Sequence, residues 1–251
     1  MRELERTSPS DDPPRLSLAI IGQGRLGNAL AGGLRDAGRP VVGPLGRGAD
    51  AAGVDAVLLC VPDREIEHAA EGIALGVLVG HCSGATGLDA LAPHEAFSLH
   101  PLMTVTPAGA RFEGAGAAIA GNTPRALELA RGLARSLGMR AVEVADDDRA
   151  AYHAAASIAS NFLVVLEAAA ERVAASAGVD RELLVPLVLA TVANWAELGA
   201  DRALTGPVAR GDEDTIDTQR AAIEERAPEL APLFDALVEA TRALAAERAP
   251  A

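Results

Sequence analysis

Residues 16–27 read LSLAIIGQGRLG, and this stretch decides the fold. Leu16–Ile21 is apolar apart from Ser17, which predicts a buried strand. Gly22-Gln23-Gly24-Arg25-Leu26-Gly27 then completes a G-x-G-x-x-G pattern, and Arg25–Ala37 has helical apolar spacing. In this context the first Gly makes a tight turn, the second admits a pyrophosphate, and the third lets the helix pack on the strand. We therefore predict that residues 22–27 bind a dinucleotide.

The loop after the second predicted strand indicates which dinucleotide is bound. An NAD site usually places an acidic residue about 20 positions beyond the glycines, whereas residues 42–48 here contain none and carry Arg47. A guanidinium can hold a 2′-phosphate through paired hydrogen bonds, so the loop favours NADP over NAD. An ordinary solvated role for Arg47 stays open. Val61 and Pro62 follow the third predicted strand and are expected to line the nicotinamide side.

The chain falls into two halves of different texture. Continuous apolar runs alternate with amphipathic ones in residues 16–145, which predicts a doubly wound α/β Rossmann-like sheet covered on both faces. Residues 1–15 are polar and Pro-rich and are expected to be a disordered leader. Strand signals stop at Asp146, so residues 146–251 are predicted to form an all-helical domain. The predicted strands are Leu16–Ile21, Val41–Leu45, Ala56–Val61, Val77–His81, Phe97–His100, Ala115–Ala120 and Arg140–Val144.

The charge balance excludes several function classes. The chain has 35 acidic and 22 basic residues, a formal net charge of −13, and every basic residue is Arg. Nucleic-acid binding needs clustered cations and is not expected. The absence of Lys removes Schiff-base, P-loop and lysine acid–base mechanisms. No apolar stretch reaches the ~18 residues of a membrane span and the leader lacks a signal-peptide core, so we expect a soluble cytoplasmic protein without a membrane partner.

The two cysteines, Cys60 and Cys82, stand 22 positions apart. One disulfide is arithmetically possible, but nothing resembles a secreted scaffold, so reduced thiols are expected. Cys60 stands among Leu and Val, which favours a core role over a nucleophilic one. The spacing of His81, Cys82, His94 and His100 matches no standard zinc pattern, and we predict no metal site.

Two strand ends supply candidate catalytic groups. Ser83 and His100 follow successive predicted strands, whose carboxyl ends face the ligand crevice. Reduction of a carbonyl or imine needs a proton donor, and imidazole is the natural choice once Lys is absent. His100, fixed by Pro101, is the first candidate, with a structural histidine as the alternative. Ser83 is predicted to position the substrate, with a turn residue as the alternative.

The helical half adds a second set of candidates. His153, Ser157 and Asn161 are spaced by four, so a regular helix would place them on one face. Their polar groups could find hydrogen-bond partners either at a site that faces the cofactor or among neighbouring helices and water in the core. The loop around Thr205 and Arg210 is dense in turn formers, and its Arg is suited to grip a substrate carboxylate.

Six motifs together resemble a family that joins a Rossmann-like half to the domain of unknown function 2520. They are GQGRLG at 22–27, CVPD at 60–63, HCSGA at 81–85, SLHPL at 98–102, YHAAASIASNF at 152–162 and LTGPVARGD at 204–212. More distantly, the layout is similar to the superfamily of 6-phosphogluconate, 3-hydroxyisobutyrate and prephenate dehydrogenases, ketopantoate reductase and pyrroline-5-carboxylate reductase.

The superfamily resemblance implies roles for particular residues. The prephenate dehydrogenase branch uses a Ser and a His-Pro at successive strand ends, which Ser83 and His100-Pro101 match. The hydroxyacid and ketopantoate branches place a catalytic Lys four residues before an Asn; here Ser157 precedes Asn161. That departure leaves His100 or His153 as the donor. Relatives usually dimerise through the helical half, which implies a homodimer here.

These observations predict an NADP-dependent oxidoreductase that passes hydride to a small anionic carbonyl substrate, with ketopantoate-like 2-oxo acids first by resemblance. In this interpretation His100, His153, Ser83 and Asn161 are catalytic, and Arg210, Ser157 and Thr205 bind substrate. A prephenate-like dehydrogenase, an imine reductase and a non-catalytic NADP(H)-sensing module are the alternatives.

Overall fold

The computed structural model describes residues 16–49, 51–107 and 109–247, so the predicted leader lies outside the described residues. The chain divides between Ser160 and Asn161 into two compact units. Sequence analysis placed the boundary at residue 146, and the helix that starts at Arg149 belongs mainly to the first unit. Each unit is described separately.

The first unit is built on one seven-stranded sheet with the order β2-β1-β3-β4-β5-β6-β7. All seven predicted strands are confirmed, because buried β-strands of a two-faced sheet are continuous apolar runs. Neighbouring strands are parallel except β5 and β6, which pair antiparallel. The strands are β1 Leu18–Ile21, β2 Val41–Leu45, β3 Ala56–Leu59, β4 Leu78–His81, β5 Ala96–Leu102, β6 Gly116–Gly121 and β7 Arg140–Glu143.

Helices cover both faces of this sheet and bury its central strands, whereas the edge strand β7 is exposed. Two hydrophobic clusters, one on each face, contain fully buried residues such as Ile20 and Phe97 on one side and Val57 and Leu59 on the other. Thr123 caps its helix by accepting a hydrogen bond from the Ala126 N–H, as the Thr-Pro start predicts. The helices of this unit are α1 Arg25–Asp36, α2 Ile66–Glu71, α3 Pro124–Ser136 and α4 Arg149–Ser157.

The long helix departs from a regular, capped α-helix in two ways. Asp148 makes no side-chain cap bond to α4, because residues 146–148 form a 3-10 turn instead. The helix is also interrupted by a π turn at Ile158–Phe162. A π turn holds more residues than an α turn, so it shifts the angular position of Asn161 away from the regular stripe of His153 and Ser157.

The second unit is all-helical, which confirms the predicted α/β sheet followed by a helical region. Its few buried apolar side chains lie mostly on α9 and α10, Ile216 and Val238 among them. Asp212 caps α9 by accepting a hydrogen bond from the Thr215 N–H. The helices are α5 Leu163–Ser176, α6 Arg181–Leu198, α7 Ala200–Ala203, α8 Pro207–Arg210, α9 Glu213–Arg226 and α10 Ala231–Glu247.

Helices α5 and α6 contain no buried residue in the isolated chain. Their exposed side chains include Val164, Leu183, Leu187 and Trp195, each more than half exposed. The helical run Asp146–Ser176 is long and apolar enough to cross a membrane by length and composition. One such helix is weak evidence for a membrane span.

Candidate functional site

The glycine turn between β1 and α1 has the geometry that a phosphate cradle needs. Gly22 has a φ of 123°, and a Cβ there would lie 2.2 Å from the carbonyl oxygen of Cys60. A Cβ on Gly27 would lie 1.9 Å from the carbonyl oxygen of Gly22. A Cβ on Gly24 would meet nothing within 4 Å, so the chain is open to an approaching ligand at that point. The first and third glycines are therefore required for packing, and the second faces free space.

The start of α1 is available to an anion. Gly24 is the N-cap and offers no side-chain cap, and the first turn holds no acidic residue. Asn28 steadies the turn, because its side-chain amide donates to the carbonyl oxygens of Gln23 and Gly24 at 2.8 and 3.0 Å. Free N–H groups and the helix dipole favour negative charge at this position.

Two cavities open on this edge of the sheet and share Val61. One, of about 480 Å³, is lined by the cradle residues Gly24, Arg25 and Leu26, by Cys60, Val61, Pro62 and Asp63, and by Cys82 and Val105. The other, of about 470 Å³, runs from Ile21 and Arg47 along α2 to Gly72 and Ile73, just after the helix ends. The two cavities meet at Val61, and two adjoining cavities suit the two nucleoside halves of a dinucleotide.

Arg47 lies at the rim of the second cavity, at the end of β2. Its side chain is 76% exposed and its Nη1 lies 3.4 Å from a carboxylate oxygen of Glu65. Arg64 also reaches Glu65, at 3.6 Å, but Arg64 does not line the cavity. The guanidinium of Arg47 is therefore placed to hold an anion beside the β2 loop.

Ser83 organises the loop after β4. Its hydroxyl donates to the Asp63 carboxylate at 2.8 Å and accepts from the N–H groups of Ala85 and Thr86. The ring of His81 accepts the Ser83 N–H at Nδ1, so its Nε2–H donates to the carbonyl of Gly87. The polar hydrogen of Ser83 is thus already used, and its direct role is to hold this loop against Asp63.

His100 and His153 meet beside that loop. Their ring centroids lie 6.2 Å apart. A Cβ on Gly84 would lie 2.9 Å from Cε1 of His100 and 2.9 Å from Cδ2 of His153, so only a glycine fits between them. Two of the four predicted catalytic residues therefore lie together, within the first unit.

Sequence analysis did not assign a role to Tyr152. Its hydroxyl lies 2.8 Å from Nδ1 of His100, and the rings pack edge to face at 5.6 Å. A backbone hydrogen bond from Ala118 reaches the same hydroxyl group. The phenol proton is then free to point to Nδ1, which fixes the proton of neutral His100 on Nε2. The position of Tyr152 next to His153 is the only sequence signal for this contact.

A buried cation, Arg149, lies close enough to His100 to act on its charge. Arg149 is 2% exposed, donates from Nε to Asp146 at 2.6 Å, and donates from Nη2 to the Ser98 hydroxyl at 2.6 Å. Burial acts to raise the pKa of Asp146, but the hydrogen bonds from Arg149 and from the Leu88 N–H outweigh burial and lower it. Sequence analysis missed Arg149, because nothing local distinguishes it from the other arginines.

Burial lowers the pKa of His100 to about 4. The charges of His153 and Arg149 also lower this pKa, whereas the carboxylate of Asp63 acts to raise it. His100 is therefore neutral at pH 7. A neutral imidazole with its proton on Nε2 can donate a hydrogen bond, but it carries no second proton that it could transfer as a general acid at this pH. The predicted general acid is better described as a hydrogen-bond donor in the free protein.

The other predicted residues fall in different places. Ser157 lies one turn after His153 on α4. Asn161, Thr205 and Arg210 belong to the second unit, and their roles stay predictions. Within the described residues, no group of three or more His, Cys, Asp or Glu side chains could hold a metal ion.

Residues 115–241 match the domain of unknown function DUF2520, which is half of the chain. The chain belongs to the DUF2520 family. No curated protein matches it. The family description names no reaction.

Several solved structures have the same fold as this chain. A protein from Thermotoga maritima is 26% identical, with a TM-score of 0.76 over 92% of this chain and 100% of that one. A protein assigned as an NADP oxidoreductase from Bacteroides fragilis is 19% identical, with a TM-score of 0.76 over 90% and 98%. A reductive aminase from Aspergillus terreus, solved with NADPH and ethyl-5-oxohexanoate, is 19% identical, with a TM-score of 0.66 over 89% and 92%. The DUF2520 chain is similar to all three along nearly its whole length.

Proposed function

We propose that this DUF2520 protein is an NADPH-dependent reductase of small carbonyl compounds. The observation that carries the proposal is the open glycine cradle at Gly24 with its adjoining cavity, together with the His100–Tyr152 pair, whose histidine lies on β5 of the same sheet. The fold is shared with the Bacteroides fragilis NADP oxidoreductase and with the NADPH-bound reductive aminase, which supports the assignment of the cofactor class.

The residues present fit NADPH. The N–H groups at the start of α1 would hold the pyrophosphate, and Arg47 would hold the 2′-phosphate through a charge-assisted pair that competes with Glu65. Val61 and Pro62 would line the nicotinamide side. When bound, NADPH would supply the hydride that the protein itself cannot provide.

The site residues would act on the substrate carbonyl. Tyr152 orients His100, so that Nε2–H can donate to the oxygen on which negative charge develops. His153 is exposed and can pass a proton between solvent and the site. Asp63 and Ser83 hold the loop that carries Gly84 between the two rings. We keep 2-oxo acids as the leading substrates, with Arg210, Ser157 and Thr205 as proposed anion-binding residues and Asn161 as a proposed catalytic residue.

Imine reduction is the second candidate, and the low pKa of His100 favours it. An iminium substrate already carries its proton and needs only hydride at carbon. A site whose central imidazole is neutral at pH 7 can stabilise such a substrate without supplying acid. Carbonyl reduction, in contrast, must draw a proton through His153 or water.

Two further features of the proposal concern assembly and place. Helix α6 is apolar on all sides yet contains no buried residue, and such helices are normally buried. We propose that a second copy of the chain covers α5 and α6 and that the homodimer works in the cytoplasm. Neither nucleic acid nor a membrane is part of the proposal.

The proposal is tested by NADPH oxidation at 340 nm against a panel of 2-oxo acids and cyclic imines. We expect turnover of one class, and a loss of about 10²–10³-fold in kcat for His100→Ala. His94→Gln is the matched control, because His94 lines neither cavity and its Nε2 bonds to the Ala70 carbonyl. Tight NADPH binding with no turnover of any compound would favour a sensing module instead.

A further inference from the structure

The sequence predicts that both cysteines are reduced and that Cys60 belongs to the core. The structure places the side chains of Cys60 and Cys82 next to each other. Cys60 lies just past the end of β3 and is half-buried, not within the strand as sequence analysis held, and Cys82 follows β4 and is buried. Their Sγ atoms are 3.6 Å apart, and both residues line the cavity beside the glycine turn. These are the two cysteines of the chain.

The strand register brings the pair within reach of a covalent bond. Leu59 and His81 are register partners on adjacent parallel strands, so the next residues, Cys60 and Cys82, face each other. Directly opposed residues on neighbouring strands lie about 4.8 Å apart, which falls inside the Cα range of disulfides. The two sulfurs need to approach by about 1.5 Å to reach the bonded distance near 2.05 Å.

The two thiols differ in access. Cys82 is 8% exposed, and its N–H donates to the Leu59 carbonyl at 3.2 Å. Its hydrogen bond with Cys60, together with burial, raises the pKa of the Cys82 thiol. Cys60 is the thiol that an oxidant reaches from the cavity, and Cys82 is positioned to resolve the product.

The glycine turn packs directly on Cys60. The carbonyl of Cys60 forms the wall against Gly22, and the Cys60 Cβ lies 3.3 Å from the Cβ position of Gly27. Both backbones are held by neighbouring strands, Cys60 through its N–H to the Ile21 carbonyl at 2.7 Å and Cys82 to the Leu59 carbonyl at 3.2 Å. The approach of the sulfurs therefore displaces the Cys60 side chain, which packs on the glycine turn and adjoins the Val61–Pro62 wall. A shift of this size at the point where a pyrophosphate approaches backbone would weaken its binding.

We propose that Cys60 and Cys82 are a peroxide-modified dithiol whose reversible disulfide and a bound dinucleotide disfavour each other. Hydrogen peroxide oxidises the Cys60 thiol to a sulfenic acid and releases one water. The Cys82 sulfur then attacks that sulfur, the S–O bond breaks, and a second water leaves as the disulfide forms. Two thiols lose two electrons and two protons, and one peroxide is reduced to two waters.

The disulfide itself is independent of the proposed function, whereas its coupling to dinucleotide rests on it. Linkage is reciprocal: if the disulfide weakens NADPH binding tenfold, then NADPH must disfavour the disulfide by the same factor. A dinucleotide in the cavity also covers the accessible sulfur of Cys60.

The disulfide is tested on the full chain by intact-mass analysis after peroxide treatment and alkylation. We expect a loss of 2 Da with no alkyl groups added, restored to two alkyl groups by dithiothreitol. Cys60→Ser and Cys82→Ser are the matched controls, and each should retain one thiol that cannot close the bond. Two alkylatable thiols after treatment, or stepwise oxygen additions without loss of 2 Da, would overturn the proposal.

The coupling is tested by measuring NADPH binding to reduced and oxidised protein. We expect about a tenfold weaker affinity after oxidation, recovery with dithiothreitol, and about tenfold slower disulfide formation with saturating NADPH. Peroxide should leave the affinity of Cys60→Ser unchanged. If reduced protein binds NADPH but oxidation does not change the affinity and NADPH does not slow disulfide formation, the coupling is wrong and the proposed function stands. If reduced protein does not bind NADPH, the proposed function fails, whatever the mass shows.

Discussion

The two units of this protein differ in how far their apolar side chains are buried within a single chain. In the first unit, the central strands of the sheet are buried on both faces, and buried polar groups such as Arg149, Ser98 and Ser83 have protein partners. In the second unit, α5 and α6 expose large apolar side chains along their length. The first unit exposes fewer large apolar side chains than the second, which is the difference that the proposed dimer would explain. This contrast suggests that the glycine cradle and the histidine pair are preorganised, while the helical region depends on assembly.

The largest expected effect comes from charging the exposed helix. Leu183→Glu with Leu187→Glu places two carboxylates on α6, where the proposed partner copy packs. We expect a dimer dissociation constant raised by on the order of 10³–10⁴-fold, because each buried carboxylate costs several kcal/mol in lost apolar burial and desolvation. Light scattering coupled to size exclusion measures the change.

Leu75 provides the matched control, since it is 74% exposed on the first unit and Leu183 is 70% exposed on the second. Leu75→Glu should leave the oligomeric state unchanged. A wild-type chain that is monomeric at all concentrations would refute the dimer, and equal effects of both variants would refute the contrast between the units.

The next effect concerns the turn on which the first unit depends. Gly27→Ala puts a Cβ 1.9 Å from the carbonyl of Gly22, and we expect a loss of about 3 kcal/mol in the free energy of unfolding. Gly32→Ala, on the same helix, meets nothing within 4 Å and should stabilise by up to ~1 kcal/mol. Urea denaturation of both variants gives the comparison. If both behave alike, the turn is not as closely packed as the structure shows.

The pH dependence of stability should report the buried histidines. The pKa of His100 is lowered to about 4, and burial also lowers the pKa of His81. The unfolded chain binds more protons than the folded chain between pH 4 and 6.5, so stability is full above pH 6.5 and is lost as the pH falls. In His100→Asn, the free energy of unfolding that is lost between pH 6.5 and 4 should be about 2 kcal/mol smaller than in wild type.

The same titration of His68→Asn, an exposed histidine, serves as the control. It should reproduce the wild-type slope. An unchanged slope in the His100 variant would mean that His100 titrates normally and that its neutral state is not a property of the fold.

Much of the first unit follows from the sequence alone. Continuous apolar runs identify all seven strands, and the glycine spacing identifies the cradle, because both signals are local. The contacts around the histidines are not local. Tyr152 reaches His100 across 52 positions of sequence, and Arg149 reaches Ser98 across 51, so no periodicity could reveal either pair.

Two sequence interpretations failed for a related reason. Cys60 was assigned to the strand interior, but β3 ends at Leu59 and leaves the thiol at the cavity wall. The stripe of His153, Ser157 and Asn161 assumed a regular helix, and the π turn at Ile158–Phe162 breaks that regularity. Where a strand stops and where a helix widens depend on packing, which composition does not encode.

The proposed cofactor is tested most directly by calorimetric titration of NADPH and NADH into wild type, Arg47→Ala and Arg64→Ala. The two arginines both lie within 4 Å of Glu65, but only Arg47 lines the cavity at the β2 loop. We expect wild type to bind NADPH about tenfold or more tightly than NADH, since a charged hydrogen bond contributes about 1.5–3 kcal/mol. Arg47→Ala should lose that preference with NADH affinity unchanged, and Arg64→Ala should keep it. A preference for NADH, or a preference for NADPH that survives Arg47→Ala, would contradict the account.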